Sequence, residues 1–99
     1  MAFNTGTAVG YSQANVTLAA PTTTLVKTGA GILHTITFNK PVATGVVTVY
    51  DALTATNAIA TITTPTSPIP VTLTYDIAFA TGLTIVSATA AQDITVSYI

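Results

Sequence analysis

The chain has 99 residues and only five charged side chains, Lys27, Lys40, Asp51, Asp76 and Asp93, with no Arg, Glu, Cys or Trp and one histidine, His34. A net charge of −1 provides no cationic patch for nucleic acid or an anionic membrane, which are bound through clustered lysine and arginine. Acid–base, nucleophilic and metal chemistry each need several polar groups converging on one point, so the inventory argues against an enzyme, a cofactor or a metal centre.

Ninety-nine residues fit a single domain that buries roughly 60–65 % of the surface its unfolded chain exposes. No disulfide or thiolate-bound metal can supplement that core, so further stability is expected from packing or association. The first twenty residues lack a basic segment followed by an apolar one, which argues against a secretory signal. Threonine interrupts every hydrophobic stretch, and none approaches the roughly 20 residues of a membrane-spanning helix. A mean hydropathy of +0.68 on a surface so short of charge favours self-association.

In chain order, residues 1–22 contain Gly6, Gly10 and Pro21 with little alternation. They read either as an extended arm or, around residues 15–19, as one additional edge strand. From residue 23 the composition decides the class. The chain has 23 Thr, 10 Val and 9 Ile, β-branched residues that are stiff at χ1 and sit best on a pleated sheet. Period-two alternation predicts strands at 23–28, 31–38, 45–51, 57–64, 71–79, 82–88 and 93–99. About seven or eight such strands predict an all-β, single antiparallel β-sandwich over 23–99, with jelly-roll and immunoglobulin-like orders both open.

The predicted inward rows are Ile32, Ile36 and Phe38; Val47 and Val49; Ile59 or Ile62; Val71, Leu73 and Tyr75; Leu83 and Ile85; and Ile94, Val96 and Tyr98. Leu33, Thr35 and Thr37 fall on the opposite face of their strand. Pro41, Pro65, Pro68 and Pro70 are expected outside the ladders, because proline cannot donate a ladder hydrogen bond.

His34 is the one side chain whose ordinary pKa lies near neutrality. It alternates with Ile32 and Ile36, so a hydrogen-bonded structural histidine packed within a strand outweighs a catalytic or metal-binding one. Ser12, Ser67, Ser87 and Ser97 lack the context of an activated nucleophile. Asp51 and Asp76, each following a tyrosine, could form a carboxylate pair or a calcium site. The stronger reading has each closing a strand and bonding its own turn, and Asp93 reads the same way. The segment KTGAG at 27–31 precedes a strand and lacks phosphate-loop order, so it is a turn. Asn15-Val16-Thr17 matches a glycosylation sequon by chance among so many threonines. Tyr11, Tyr50, Tyr75 and Tyr98 are expected to serve packing more than a glycan platform. No catalytic, cofactor-binding or metal residue is assigned.

The runs LVKTGAGILHTITFNKPVATGVVTVYDALTATNAIATI, VTLTYDIAFATGLTIV and QDITVSYI, within residues 25–99, resemble small β-sandwich modules in virion proteins of tailed bacteriophages. The resemblance covers about three-quarters of the chain and rests on structural motifs, not chemical ones. It implies a capsid decoration (cement) protein that is made in the host cytoplasm and resides on the capsid surface. The implied partners are the major capsid protein and further copies of the chain, as a homotrimer or other symmetric cluster. The alternative is a tail-fibre or adhesin module binding a host-surface glycan. An enzyme would require His34 and an aspartate to meet in a solvent-filled pocket.

Overall fold

The computed structural model describes residues 10–18 and 22–99. They form eight strands: β1 (Ser12–Leu18), β2 (Thr22–Thr28), β3 (Gly31–Lys40), β4 (Val46–Tyr50), β5 (Ala58–Thr63), β6 (Val71–Phe79), β7 (Gly82–Ala88) and β8 (Gln92–Tyr98). All pairings are antiparallel, in two four-stranded sheets with the orders β1-β8-β3-β6 and β2-β7-β4-β5. Among the described residues no helix is long and apolar enough to cross a membrane.

Except at the β4–β5 hairpin, the chain changes sheet at every step. An immunoglobulin-like order keeps its first two strands in one sheet, whereas here they lie in opposite sheets. The order is that of a jelly roll, which resolves the alternative that alternation left open. β1 and β2 touch along one flank of the sandwich, so the outer strands β5 and β6 bound the opposite flank.

The strands from residue 22 onward lie within one or two positions of their predicted limits, and Pro41, Pro65, Pro68 and Pro70 all lie outside the ladders. Residues 12–18 join the sandwich as an edge strand on β8, the second of the two readings of the N-terminal segment. The remainder of the expected arm, 1–9 and 19–21, lies outside the described residues.

The core is built by Val16, Leu33, Ile36, Phe38, Val47, Val49, Phe79, Leu83, Ile85, Ile94 and Val96, with Ile59, Ile62, Leu73, Tyr75 and Tyr98 packed at its margin. Most of the predicted inward rows are therefore observed, and β3 supplies the main correction. Ile32 is 40 % exposed while Leu33 is 0 % exposed, the reverse of the expectation. The register of β3 shifts against both neighbours between Leu33 and Thr35: in the ladder with β8 His34 is the inserted residue of a β-bulge, and in the ladder with β6 the extra residue lies on β6. A one-residue insertion inverts the facing of everything beyond it. Leu33 therefore enters the core from odd parity, and Ile36 and Phe38 from even parity. Val71 also departs from expectation at 44 % exposed; it shares the inward row of Leu73, but β6 is an outer strand and among the described residues its start is left partly open.

Among the described residues four polar side chains are buried, Thr64, Thr84, Ser87 and Gln92, and each ties down a loop. Gln92 accepts a hydrogen bond from Val42 N at 2.9 Å and donates to Val42 O at 3.0 Å. Thr64 donates to Val42 O and accepts from Gly45 N; Thr84 donates to Ala52 O and Ser87 to Ala90 O. A satisfied bond of this kind contributes about 1 kcal/mol, whereas an orphaned buried group costs about 1–3 kcal/mol, so these side chains fix loop positions more than they add net stability.

Candidate functional site

The sheet geometry gathers Tyr11, His34 and Asp76 at one place. The bulge puts His34 on the outer face of the β1-β8-β3-β6 sheet, and Tyr75 and Asp76 of β6 stand opposite it as the residues skipped by the ladder. His34 Nδ1 contacts Asp76 Oδ1. The Tyr11 ring lies flat on the imidazole, with centroids 4.1 Å apart and an interplanar angle of 11°. The histidine and aspartate side chains are 30 % and 58 % exposed, so His34 is not packed between Ile32 and Ile36 as alternation implied. It is hydrogen-bonded, as expected, but to an aspartate 42 residues away.

Asp76 does not close its strand. It sits within β6 at a φ of 48°, a left-handed conformation that aspartate tolerates better than most residues. In that conformation β6 takes up the extra residue of its ladder while presenting the carboxylate to the ring. When Nδ1 donates to the carboxylate, Nε2 is left as the basic nitrogen. That is half of an acid–base device. The other half, a nucleophile and a group to stabilise developing charge, is not gathered here: Ser97 pairs with Thr35 in register, and among the described residues no hydroxyl is hydrogen-bonded to His34.

The other aspartates are spoken for. Asp51 accepts hydrogen bonds from Ala80 N at 3.0 Å and Thr81 N at 2.9 Å, so it clasps the β6–β7 turn instead of its own. Its backbone N–H donates to Asn57 O and its carbonyl accepts from the Asn57 side-chain amide, which closes the loop after β4 separately. The Thr81 amide, followed by that of Ala80, holds the Asp51 carboxyl below the usual carboxylate range. Asp93 accepts from Asn15 at 2.9 Å and Asn39 at 3.1 Å, and those two amides lower its pKa in the same order. Both interactions correct the expectation of self-bonded turn aspartates. Among the described residues no three His, Cys, Asp or Glu side chains gather as a metal site.

The remaining candidates are dispersed. KTGAG is the β2–β3 turn, with Gly29 at a φ of 96°. The Asn15 amide is engaged by Asp93, Ile94 O and Thr95. Tyr75 and Tyr98 pack against the core, and burial raises the Tyr75 pKa; Tyr50 lies in the other sheet, so the four tyrosines form no common platform.

A groove of about 250 Å³ opens on the β5–β6 flank, lined chiefly by Pro41, Ile62, Pro65, Ile69, Val71 and Leu73. Sequence reasoning missed it, although Ile69 between two prolines of a turn segment was a signal. None of its lining residues is ionisable. The groove and the His34–Asp76 pair are thus separate features. No protein family, curated protein or solved structure matches the chain.

Two outcomes follow. Asp51 has its folded pKa depressed, so its contribution is present above the ordinary carboxylate pKa and is lost as pH falls through the folded value. Below about pH 4 the natural chain is expected to lose thermal stability steeply. Asp51→Asn should be less stable at neutral pH and fall less steeply in acid, with the residual slope carried by Asp93; identical melting profiles against pH would contradict the clasp. At position 76, glycine relieves the left-handed strain that alanine retains, so Asp76→Gly should exceed Asp76→Ala by about 1 kcal/mol in denaturant unfolding. Equal stabilities would remove the strain argument.

Proposed function

We propose that the chain is a non-enzymatic structural protein of a virus particle, a capsid decoration protein that binds the outer shell of a tailed bacteriophage as a homo-oligomer. The resemblance of residues 25–99 to phage virion modules is the origin of this reading. The observation that carries it is the separation just described: the concave feature has no ionisable lining, and the ionisable pair lies outside it.

The outer face of the β2-β7-β4-β5 sheet supports the same reading. One cross-strand row reads Thr23, Val86, Thr48, Thr61, and beside it lies Leu25, 47 % exposed. Short β-branched side chains without charge make a flat surface that is cheap to desolvate, since no ion must leave water. On a lattice of identical shell subunits, many such modest contacts combine through avidity. The natural location is then the capsid surface, with the major capsid protein as partner.

Purified protein mixed with undecorated phage heads should co-sediment with them and raise the temperature at which they release DNA. Heads that neither retain the protein nor gain heat resistance would refute the capsid assignment.

A further inference from the structure

We propose that the β5–β6 groove receives the N-terminal segment, residues 1–9, of a neighbouring copy of this chain. The proposal rests on the self-association in the function proposed above and names the contact that produces it.

The groove calls for an occupant. Ile69 is 73 % exposed, the most exposed large hydrophobic residue among the described residues, and it stands over a concavity whose other principal walls are Pro41, Ile62, Pro65, Val71 and Leu73. β5 and β6 are outer strands of their sheets, so along this flank each has an unpaired row of backbone N–H and C=O groups, the usual template for an added extended segment. Neither the groove lining nor the sequence MAFNTGTAV contains a charged side chain, so docking leaves no charged side chain in the apolar trough. In an extended conformation Met1, Phe3 and Val9 share one face, which matches an apolar trough beside a strand edge.

Geometry favours a neighbouring copy over the same one. β1 starts at the level of Tyr98 and Leu33 on one edge of its sheet. The groove lies beside the Phe38–Val71 pair at the opposite edge and opposite end. Three inter-strand steps of about 4.8 Å and five residues of about 3.3 Å separate these corners by about 22 Å. A segment from the same chain would arrive taut, with only its first few residues at the groove. A segment from an adjacent copy can lay its full length there.

The absence of native cysteine makes the test direct. Full-length Phe3→Cys and Ile69→Cys variants, mixed and mildly oxidised, should form a covalent pair on a non-reducing gel, and the double variant should form a ladder. Phe3→Cys mixed with Leu53→Cys, an exposed apolar position in the β4–β5 loop away from the groove, should not. Ile69→Asp in the otherwise natural chain should lose self-association in sedimentation without a change in melting temperature. A double variant that closes only within one chain, links no better than the control, or fails to link overturns the proposal. If the natural chain still self-associates and binds heads in that event, the capsid reading survives alone. Linking without head binding leaves the groove contact standing and removes the capsid reading, and a chain that stays monomeric at all concentrations removes both.

Discussion

The change of facing in β3 at His34 is the constraint on which the rest of the molecule depends. β3 is an inner strand, bonded to β8 on one side and β6 on the other, so its insertion must be accommodated in two ladders at once. On the core side it allows Leu33 to join Ile36 and Phe38 although their parities differ. On the outer side it exposes His34 where Asp76, in a left-handed conformation, and Tyr11 can reach it. The His34–Asp76 contact therefore follows from strand geometry and ties β3 to β6, while the Tyr11 ring stacked on the imidazole holds the entry to β1 against the sheet.

The few polar groups are deployed the same way elsewhere. Asp51 holds the β6–β7 turn, Gln92 and Thr64 hold the segment around Val42, and Asp93 with Asn15 and Asn39 joins β1 to β3 across β8. Gly31 has a comparable role by omission: a Cβ there would overlap the Ile99 carbonyl oxygen and crowd the Phe79 ring, where the Ile99 backbone bonds that of Ile32. Each of these polar side chains is committed to a specific backbone or strand pairing. The surfaces left over are uncharged sheet and an apolar groove, which suit contact with other protein better than chemistry.

Much of this was legible in the sequence because period-two alternation reports strands directly, and β-branched composition excludes the competing helical reading. Sheet order was not legible, since alternation says which residues face inward but not which strands are neighbours. The bulge was hidden for a specific reason: Ile32, Ile36 and Phe38 present an unbroken even-numbered apolar row that includes His34, and Leu33 was the sole contrary sign. The groove escaped because its walls come from residues 41, 62, 65, 69, 71 and 73, assembled only when β5 and β6 close one flank. The His34–Asp76 pair needed the same long-range information, because the two residues meet across a ladder whose irregularity they themselves define.

Two alanine substitutions measure the facing of β3 most directly. Leu33 is fully buried and Ile32 is not, so Leu33→Ala is expected to cost about 2–5 kcal/mol in denaturant unfolding, and Ile32→Ala about 1 kcal/mol or less. The reverse order, with Ile32→Ala the more damaging, would mean that β3 alternates regularly through His34 and would contradict this account.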